Sequence, residues 1–353
     1  MKTEKDSEHL VLYSEREEGP TCGLDEEMIR QAGGTIRYGK ATNEEDRIQM
    51  AESAEVMVVG GAQMTREFFT ALPRLKTVIR LGIGVDTVDL GAATDLGVLV
   101  ANVPDFCTEE VPEHALGLML AVTRKIVLAD RKARRGEWVP GMEGRMRPIR
   151  RLSGQTLGLI GFGRLGQSLA RKAKGLGLKV IAYDPYVAPE AARAAGVPML
   201  TLEELLPQAD ILSLHVPQTP ETRGLINGRT LALLKAGAIL INAARGQVVE
   251  EAALEAALAS GRLVGAGLDV LEKEPIQLPH PLAEFENVVF TCHYASLSEE
   301  SYANMGQQVS EQAVQILRGE FPRHLVNPRV KNLPQCRLRQ ATATGSARGG
   351  GKP

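Results

Sequence analysis

The chain has 353 residues, with 41 Lys and Arg against 43 Asp and Glu and a formal charge of -2. At roughly 100–200 residues per domain this length implies two domains, and 44% hydrophobic residues supply an ordinary core, which excludes disordered, collagen-like and disulfide-scaffold classes. The near-neutral balance gives no bulk field for nucleic acid, and 7 Phe, 6 Tyr and 1 Trp leave few platforms for stacking bases.

The opening M-K-T-E-K-D-S-E-H is too charged for a signal peptide, and no apolar run approaches the ~20 residues that span a bilayer. A cytoplasmic protein with no membrane partner is expected. Short apolar, β-branched runs at 9–14, 54–60 and 76–82 alternate with helix-length segments, the pattern of βαβ units on a mostly parallel sheet. Residues 108–135 read as one long helix, with Thr108 as N-cap, glutamates in the first turn and basic residues in the last. Residues 136–155, rich in Gly, Pro and Arg, read as an exposed loop. The stretch 124–151 holds ten Lys and Arg, taken as a solvated helix end and a loop that pairs with a second subunit rather than a site for an anionic partner.

Alternation restarts at 156–161 and 179–184 and continues through 209–217, 238–244, 264–270 and 287–293, so a second doubly wound unit is expected. Residues 331–353 contain no acid and end in A-T-A-T-G-S-A-R-G-G-G-K-P; they read as a disordered tail that activity does not need. Cys22, Cys107, Cys292 and Cys336 form no C-x-x-C pair, and no histidine stands at zinc-ligand spacing, so reduced thiols and no metal site are expected.

Between 156 and 184 a buried strand is followed by Gly161, Gly163 and Gly166, then a helix pattern, then a second strand ending in Asp184. That is the full context of a dinucleotide fingerprint. Gly161 permits the tight turn, Gly163 the approach of a pyrophosphate to backbone N–H groups, and Gly166 the packing of helix on strand. Asp184 suits the ribose hydroxyls and repels a 2′-phosphate, and Pro185 and Tyr186 bring no arginine, so NAD is favoured over NADP.

Arg245, Glu274 and His293 each stand just beyond a predicted strand end, where open parallel sheets bind ligands. Reducing a 2-keto acid needs a cation for its carboxylate and carbonyl, a proton donor, and an acid that keeps the donor charged and oriented. Arginine, histidine and glutamate supply those three in turn. His114 and His215 lie inside a helix and at a strand end, with no acid partner that the sequence can place, and are read as structural.

Several motifs together resemble one family, the D-isomer-specific 2-hydroxyacid dehydrogenases. They are R-L-G-I-G-V-D-T-V-D-L (80–90), N-V-P-D (102–105), G-F-G-R-L-G (161–166), H-V-P-Q-T-P-E-T-R-G-L-I (215–226), N-A-A-R-G (242–246), D-V-L-E-K-E-P (269–275) and C-H (292–293). The resemblance runs from about residue 9 to 330. It implies an α/β fold of two doubly wound parallel-sheet domains: a Rossmann NAD-binding domain, 106–293, inserted into a flavodoxin-like substrate domain of 9–105 plus 294–330, with hinges at the two crossings. It also implies a catalytic set of Arg245, Glu274 and His293, and a substrate carboxylate held by the N–H groups of Ile83 and Gly84. Cofactor contacts are implied for Gly161, Gly163, Arg164, Leu165, Gly166 and Asp184, and for Val216, Pro217 and Thr222, with Asp269 facing the nicotinamide amide. The helix 108–135 is implied to form a homodimer.

Within the family the sequence looks most like the branch of C-terminal binding proteins and their bacterial relatives, through V-I-R-L-G-I-G-V-D, P-D-F-C-T-E-E-V and A-Y-D-P-Y. In that branch an arginine at the position of Arg80 also contacts substrate. Three departures stand out. Cys292 replaces the usual proline before the histidine, Ser296 and Leu297 replace an aromatic pair, and V-V-G-G-A-Q at 58–63 lacks the arginine that phosphoglycerate dehydrogenases use for the substrate phosphate. The expectation is therefore an NAD-dependent oxidoreductase acting on a 2-keto or D-2-hydroxy acid other than phosphoglycerate. The alternative is a dimeric NAD(H) sensor with vestigial chemistry; formate is disfavoured because Glu274 stands where formate enzymes carry Gln.

Overall fold

The computed structural model describes residues 9–16 and 23–339; Cys22 and residues 340–353 of the expected tail lie outside them. The chain divides into two compact units, one built from the segments up to Phe106 and from Ser298 onward, the other from Cys107–Leu297.

The first unit begins with β1 (His9–Tyr13), β2 (Glu15–Arg16), α1 (Glu26–Gln31), β3 (Gly34–Lys40), α2 (Glu44–Ala51), β4 (Ala54–Val59), α3 (Arg66–Ala71), β5 (Thr77–Arg80), α4 (Leu90–Asp95) and β6 (Leu99–Ala101). Its helices start where the sequence offers a side-chain acceptor: Asp25, Asn43, Thr65 and Asp89 each bond a first-turn N–H. The sheet order is β2-β3-β1-β4-β5-β6, parallel throughout except where β2 meets β3. Without the short β2 this is the flavodoxin-like order. β4, A-E-V-M-V-V, is buried along its whole length, as a parallel strand covered on both faces must be.

The second unit comprises α5 (Glu110–Thr123), α6 (Ile126–Arg134), α7 (Met142–Arg145), β7 (Thr156–Ile160), α8 (Arg164–Gly175), β8 (Lys179–Tyr183), α9 (Pro189–Ala194), α10 (Leu202–Leu205), β9 (Ile211–Leu214), α11 (Gly228–Leu233), β10 (Ala238–Asn242), α12 (Glu251–Ala259), β11 (Leu263–Leu268) and β12 (Val288–Phe290). Its sheet is all parallel, in the order β12-β11-β10-β9-β7-β8. The chain runs from β7 outward to β8 and then returns to the other side of β7 as β9. This reversal opens a crevice beyond the carboxyl ends of β7 and β9, the place where such sheets hold ligands. The first unit is completed by α13 (Glu299–Leu317), capped by Ser298.

Two expectations need correction. The single helix over 108–135 is two helices: α5 stops at Thr123, Lys125 takes a left-handed conformation (φ 54°), and α6 restarts at Ile126. Its cap position is Glu109, not Thr108. Packing separates the two helices, since α5 buries Val111, Ala115, Leu118 and Met119 whereas α6 buries nothing. The tail is also not disordered from 331. Cys336 and Leu338 are buried, and Arg337 donates to the carbonyls of Phe69 (3.2 Å), Leu72 (2.5 Å), Leu75 (2.9 Å) and Leu96 (2.9 Å). Those carbonyls lie at and beyond the ends of α3 and α4, where helices leave acceptors unsatisfied, and one guanidinium serves all four.

Candidate functional site

At the β7–β9 crevice the three glycines differ in what surrounds them. Gly161 has φ +95°, and a Cβ there would stand 2.5 Å from the His215 carbonyl oxygen and 3.0 Å from Val216 Cγ1. At Gly166 a Cβ would stand 2.2 Å from the Gly161 oxygen. Neither position has room for a side chain. Among the described residues, a Cβ at Gly163 meets no atom within 4 Å, and no side chain bonds the first N–H groups of α8, which begins at the next residue. Open space in front of uncapped helix amides is what a pyrophosphate requires, so the residues present fit a dinucleotide.

Asp184 follows β8 half-buried; its Oδ2 accepts from Phe162 N–H at 2.8 Å and its Oδ1 from Tyr186 N–H at 2.9 Å. One lone pair on each oxygen remains for ribose hydroxyls, and the acid also pins the glycine turn. Arg164 is exposed on the first turn of α8 and Leu165 is half-buried beside it. Across the crevice, Thr222 Oγ1 donates to the Pro217 carbonyl at 2.7 Å and accepts from Thr219 N–H at 2.8 Å, folding the loop after β9.

The second cluster forms beyond β10, β11 and β12. His293 Nδ1 lies 2.5 Å from Glu274 Oε2, and the other Glu274 oxygen accepts from Leu271 N–H at 3.0 Å. Burial works against ionisation of Glu274, but the bonds from His293 and Leu271 and the charge of Arg245 outweigh it and hold the carboxyl below its usual range. Arg245 is held by its own backbone: Asn242, buried at the end of β10, donates through Nδ2 to the Arg245 carbonyl at 3.0 Å and accepts from Ala244 N–H at 3.0 Å. Its Nη1 donates to the Ala244 carbonyl at 2.7 Å.

His293 has φ 54°, a conformation that a non-glycine residue adopts only where its surroundings impose it. Asp269, 3% exposed, does much of the imposing. Its carbonyl accepts from His293 N–H at 2.9 Å, its Oδ1 from Thr291 Oγ1 at 2.5 Å and Tyr294 N–H at 3.2 Å, and its Oδ2 from Ala295 N–H at 3.1 Å. Asp269, which the resemblance gave to the nicotinamide amide, has its carboxylate bonded to the loop that carries His293. His114 joins the same group, with Nε2 2.9 Å from Thr291 Oγ1 and 3.5 Å from Asp269 Oδ1. The acid partner that the sequence could not place is therefore Asp269. A histidine on the apolar face of a helix was the available signal, because a buried imidazole needs a polar neighbour. Among the described residues, the His215 ring meets only Ser213 Oγ, 2.8 Å from Nε2.

In the first unit, Arg80 ends β5 and folds its guanidinium onto the Leu81 carbonyl. The loop after it is tied by Asn102 Nδ2 donating to the Ile83 carbonyl at 2.6 Å and Val103 N–H to Gly82 at 3.1 Å. The N–H groups of Ile83 and Gly84 have no acceptor among the described residues.

Comparison with known proteins agrees with the second unit's architecture. The family described as D-isomer specific 2-hydroxyacid dehydrogenase, NAD binding domain, matches residues 116–295. The D-3-phosphoglycerate dehydrogenase of Methanocaldococcus jannaschii is 39% identical over 322 residues, 90% of this chain but only 60% of that protein. The glyoxylate reductase of Korarchaeum cryptofilum is 41% identical over 264 residues, 75% of this chain and 80% of that protein. A crystal structure of D-lactate dehydrogenase from Aquifex aeolicus, complexed with NAD and lactic acid, superposes with a TM-score of 0.78 at 28% identity, covering 90% of this chain and 99% of that one. None of these three is a C-terminal binding protein. With a glycine turn shaped for a dinucleotide and matches over this much of its length, the chain belongs to the D-isomer specific 2-hydroxyacid dehydrogenase family, and residues 116–295 are its NAD-binding domain.

Proposed function

We propose that this protein interconverts a small 2-keto acid and its D-2-hydroxy acid with NAD(H). The observation that carries the reading is the His293–Glu274 pair at 2.5 Å, with the Arg245 charge acting on the same carboxylate. The glycine turn, Asp184 and the loop around Thr222 would hold NAD(H), which would supply or accept the hydride when bound. Glu274 engages Nδ1 of the imidazole, which orients the ring and leaves Nε2 to hand a proton to the carbonyl oxygen. Arg245 offers a planar fork to the carboxylate and polarises the carbonyl. In the first unit we assign the substrate carboxylate to the N–H groups of Ile83 and Gly84, with Arg80 as an added cation.

A short, uncharged substrate tail, as in glyoxylate or hydroxypyruvate, is favoured over a phosphorylated one. Gly60, Gly61, Ala62 and Gln63 bring no cation, and a Cβ at Gly61 would meet nothing within 4 Å. We also propose a homodimer. Trp138, 85% exposed, and Val139 lie with Met142 and Met146 on an apolar surface beside α6, and a second copy would cover it. Cys107, Cys292 and Cys336 are free thiols, in keeping with the cytoplasmic location we propose.

The test is loss of NADH absorbance with glyoxylate, hydroxypyruvate, pyruvate, branched-chain and aromatic keto acids and phosphohydroxypyruvate. One keto acid should turn over, and His293→Ala should lose roughly 10²–10⁴ of that rate while binding NADH as the parent does. An active His293→Ala would refute the mechanism. Phosphohydroxypyruvate as the preferred substrate would refute the assignment of the tail. Tight NADH binding without turnover on any member would move the reading to a dinucleotide sensor.

A further inference from the structure

His114 lies on α5, far in sequence from the catalytic set, yet it meets the loop that presents His293. The hydroxyl of Thr291 donates to Asp269 at 2.5 Å, so its proton is already committed. The 2.9 Å contact between Thr291 Oγ1 and His114 Nε2 must then be donated by the histidine, which places a hydrogen on Nε2. The result is a directed chain: His114 N–H to Thr291 O–H to the Asp269 carboxylate, which in turn accepts the N–H groups of Tyr294 and Ala295. The ring of His114 also stands edge-on to Tyr294, with centroids 5.0 Å apart. Residues 291, 294 and 295 are thus fixed on both sides of His293, whose positive φ persists only because its neighbours are held.

We infer that His114 is a positioning residue for His293: through Thr291 and Asp269 it holds the histidine loop in the one conformation that points the imidazole at Glu274. This rests on the reading of His293 as the proton donor. Burial pushes the His114 imidazole below its ordinary range despite the pull of Asp269, so near neutral pH it works as a neutral donor and adds no charge to the site. Reacting groups displaced by about 1 Å can cost on the order of 10²-fold in rate, so the expected loss is ten- to a hundredfold in kcat.

The test uses the full-length protein and the keto acid it turns over best. His114→Phe keeps a ring against Tyr294 and removes the donor, and Thr291→Val removes the hydroxyl at constant volume. His114→Gln restores a donor near the Nε2 position. The first two should lower kcat ten- to a hundredfold with NADH affinity within twofold of the parent, the double variant should be no worse than Thr291→Val, and His114→Gln should recover most of the rate. A readout independent of turnover is the rate at which iodoacetamide alkylates Cys292, followed by peptide mass. This exposed thiol lies between Thr291 and His293 and should react several-fold faster once the loop is released. If His114→Phe and Thr291→Val keep kcat and Cys292 labelling within twofold of the parent while His293→Ala is inactive, the positioning role is wrong and the catalytic reading stands. If His293→Ala is itself active, the underlying reading fails first. Should His114→Phe not fold, Thr291→Val alone decides, since it changes one hydroxyl to a methyl.

Discussion

At the scale of single residues, the chemistry depends on polar groups whose partners come from distant parts of the chain. His215 shows what happens when a partner is missing. The residue is only half-buried, but its Nδ1 is shut away from water with no hydrogen-bond partner among the described residues, and burial pushes its pKa down to about 4. The folded protein therefore keeps it neutral, whereas the unfolded chain takes up a proton near the ordinary value of ~6.5. Stability should be unaffected above that pH and fall as pH drops from about 6.5 toward 4, because the unfolded state binds the extra proton. Allowing for partial exposure, the drop is roughly 1–3 kcal/mol. Urea unfolding at pH 7 and pH 4.5 measures it, and His215→Gln should lose that much less than the parent between the two; identical losses would show that His215 is not the group responsible. Asp184, Arg245, Glu274 and His293 were visible as residue types at strand ends. The partnership of His114 with Asp269 was not, since 155 positions separate them and only the packing of α5 against the end of the sheet joins them.

At the scale of elements, the apolar runs located nine strands, and each run overshot its ladder by one to several residues. The run read over 209–217 forms hydrogen-bonded strand only at Ile211–Leu214, and that over 287–293 only at Val288–Phe290. The candidate site lies in that overshoot: past the last ladder bond the backbone is free to turn, and Pro217, Cys292 and His293 come out exposed there. β3 gave no clear signal because in its G-T-I-R-Y-G-K only Gly34 is buried and the rest is half-exposed or exposed. The glycine turn allows a paired experiment. Gly163→Ala should change stability by under about 1 kcal/mol and weaken NADH binding roughly tenfold, since its Cβ fills only the space a pyrophosphate would use. Gly166→Ala should cost about 1–3 kcal/mol, because its Cβ overlaps the Gly161 carbonyl. Thermal melting with NADH titration separates the two effects; equal destabilisation would contradict the geometry.

At the scale of the whole molecule, two surfaces extend beyond what strand and helix patterns describe. Cutting the chain after Val330 removes the buried Cys336 and Leu338 and frees the four carbonyls bonded by Arg337. Burial of one leucine is worth roughly 1.5–3 kcal/mol, so the truncated protein should melt several degrees lower. An unchanged melting temperature would show the segment to be dispensable, as its composition first implied. Trp138→Glu should convert the proposed dimer to monomer in size-exclusion chromatography with light scattering; a parent that is already monomeric would remove that proposal.

The two doubly wound sheets, the glycine turn and the acid that follows it at the end of β8 were legible in the residues alone. Each of these rests on local chemistry: an apolar period, a glycine spacing, an acid at a strand end. Only packing shows where the helix after Phe106 breaks, that residues 331–339 include the buried Cys336 and Leu338, and that His114 and Asp269 meet at Thr291. Those outcomes depend on which unsatisfied carbonyl, amide or imidazole meets which partner once the elements are packed. Hydrogen bonds between groups a hundred or more positions apart leave no periodic trace in the chain that makes them.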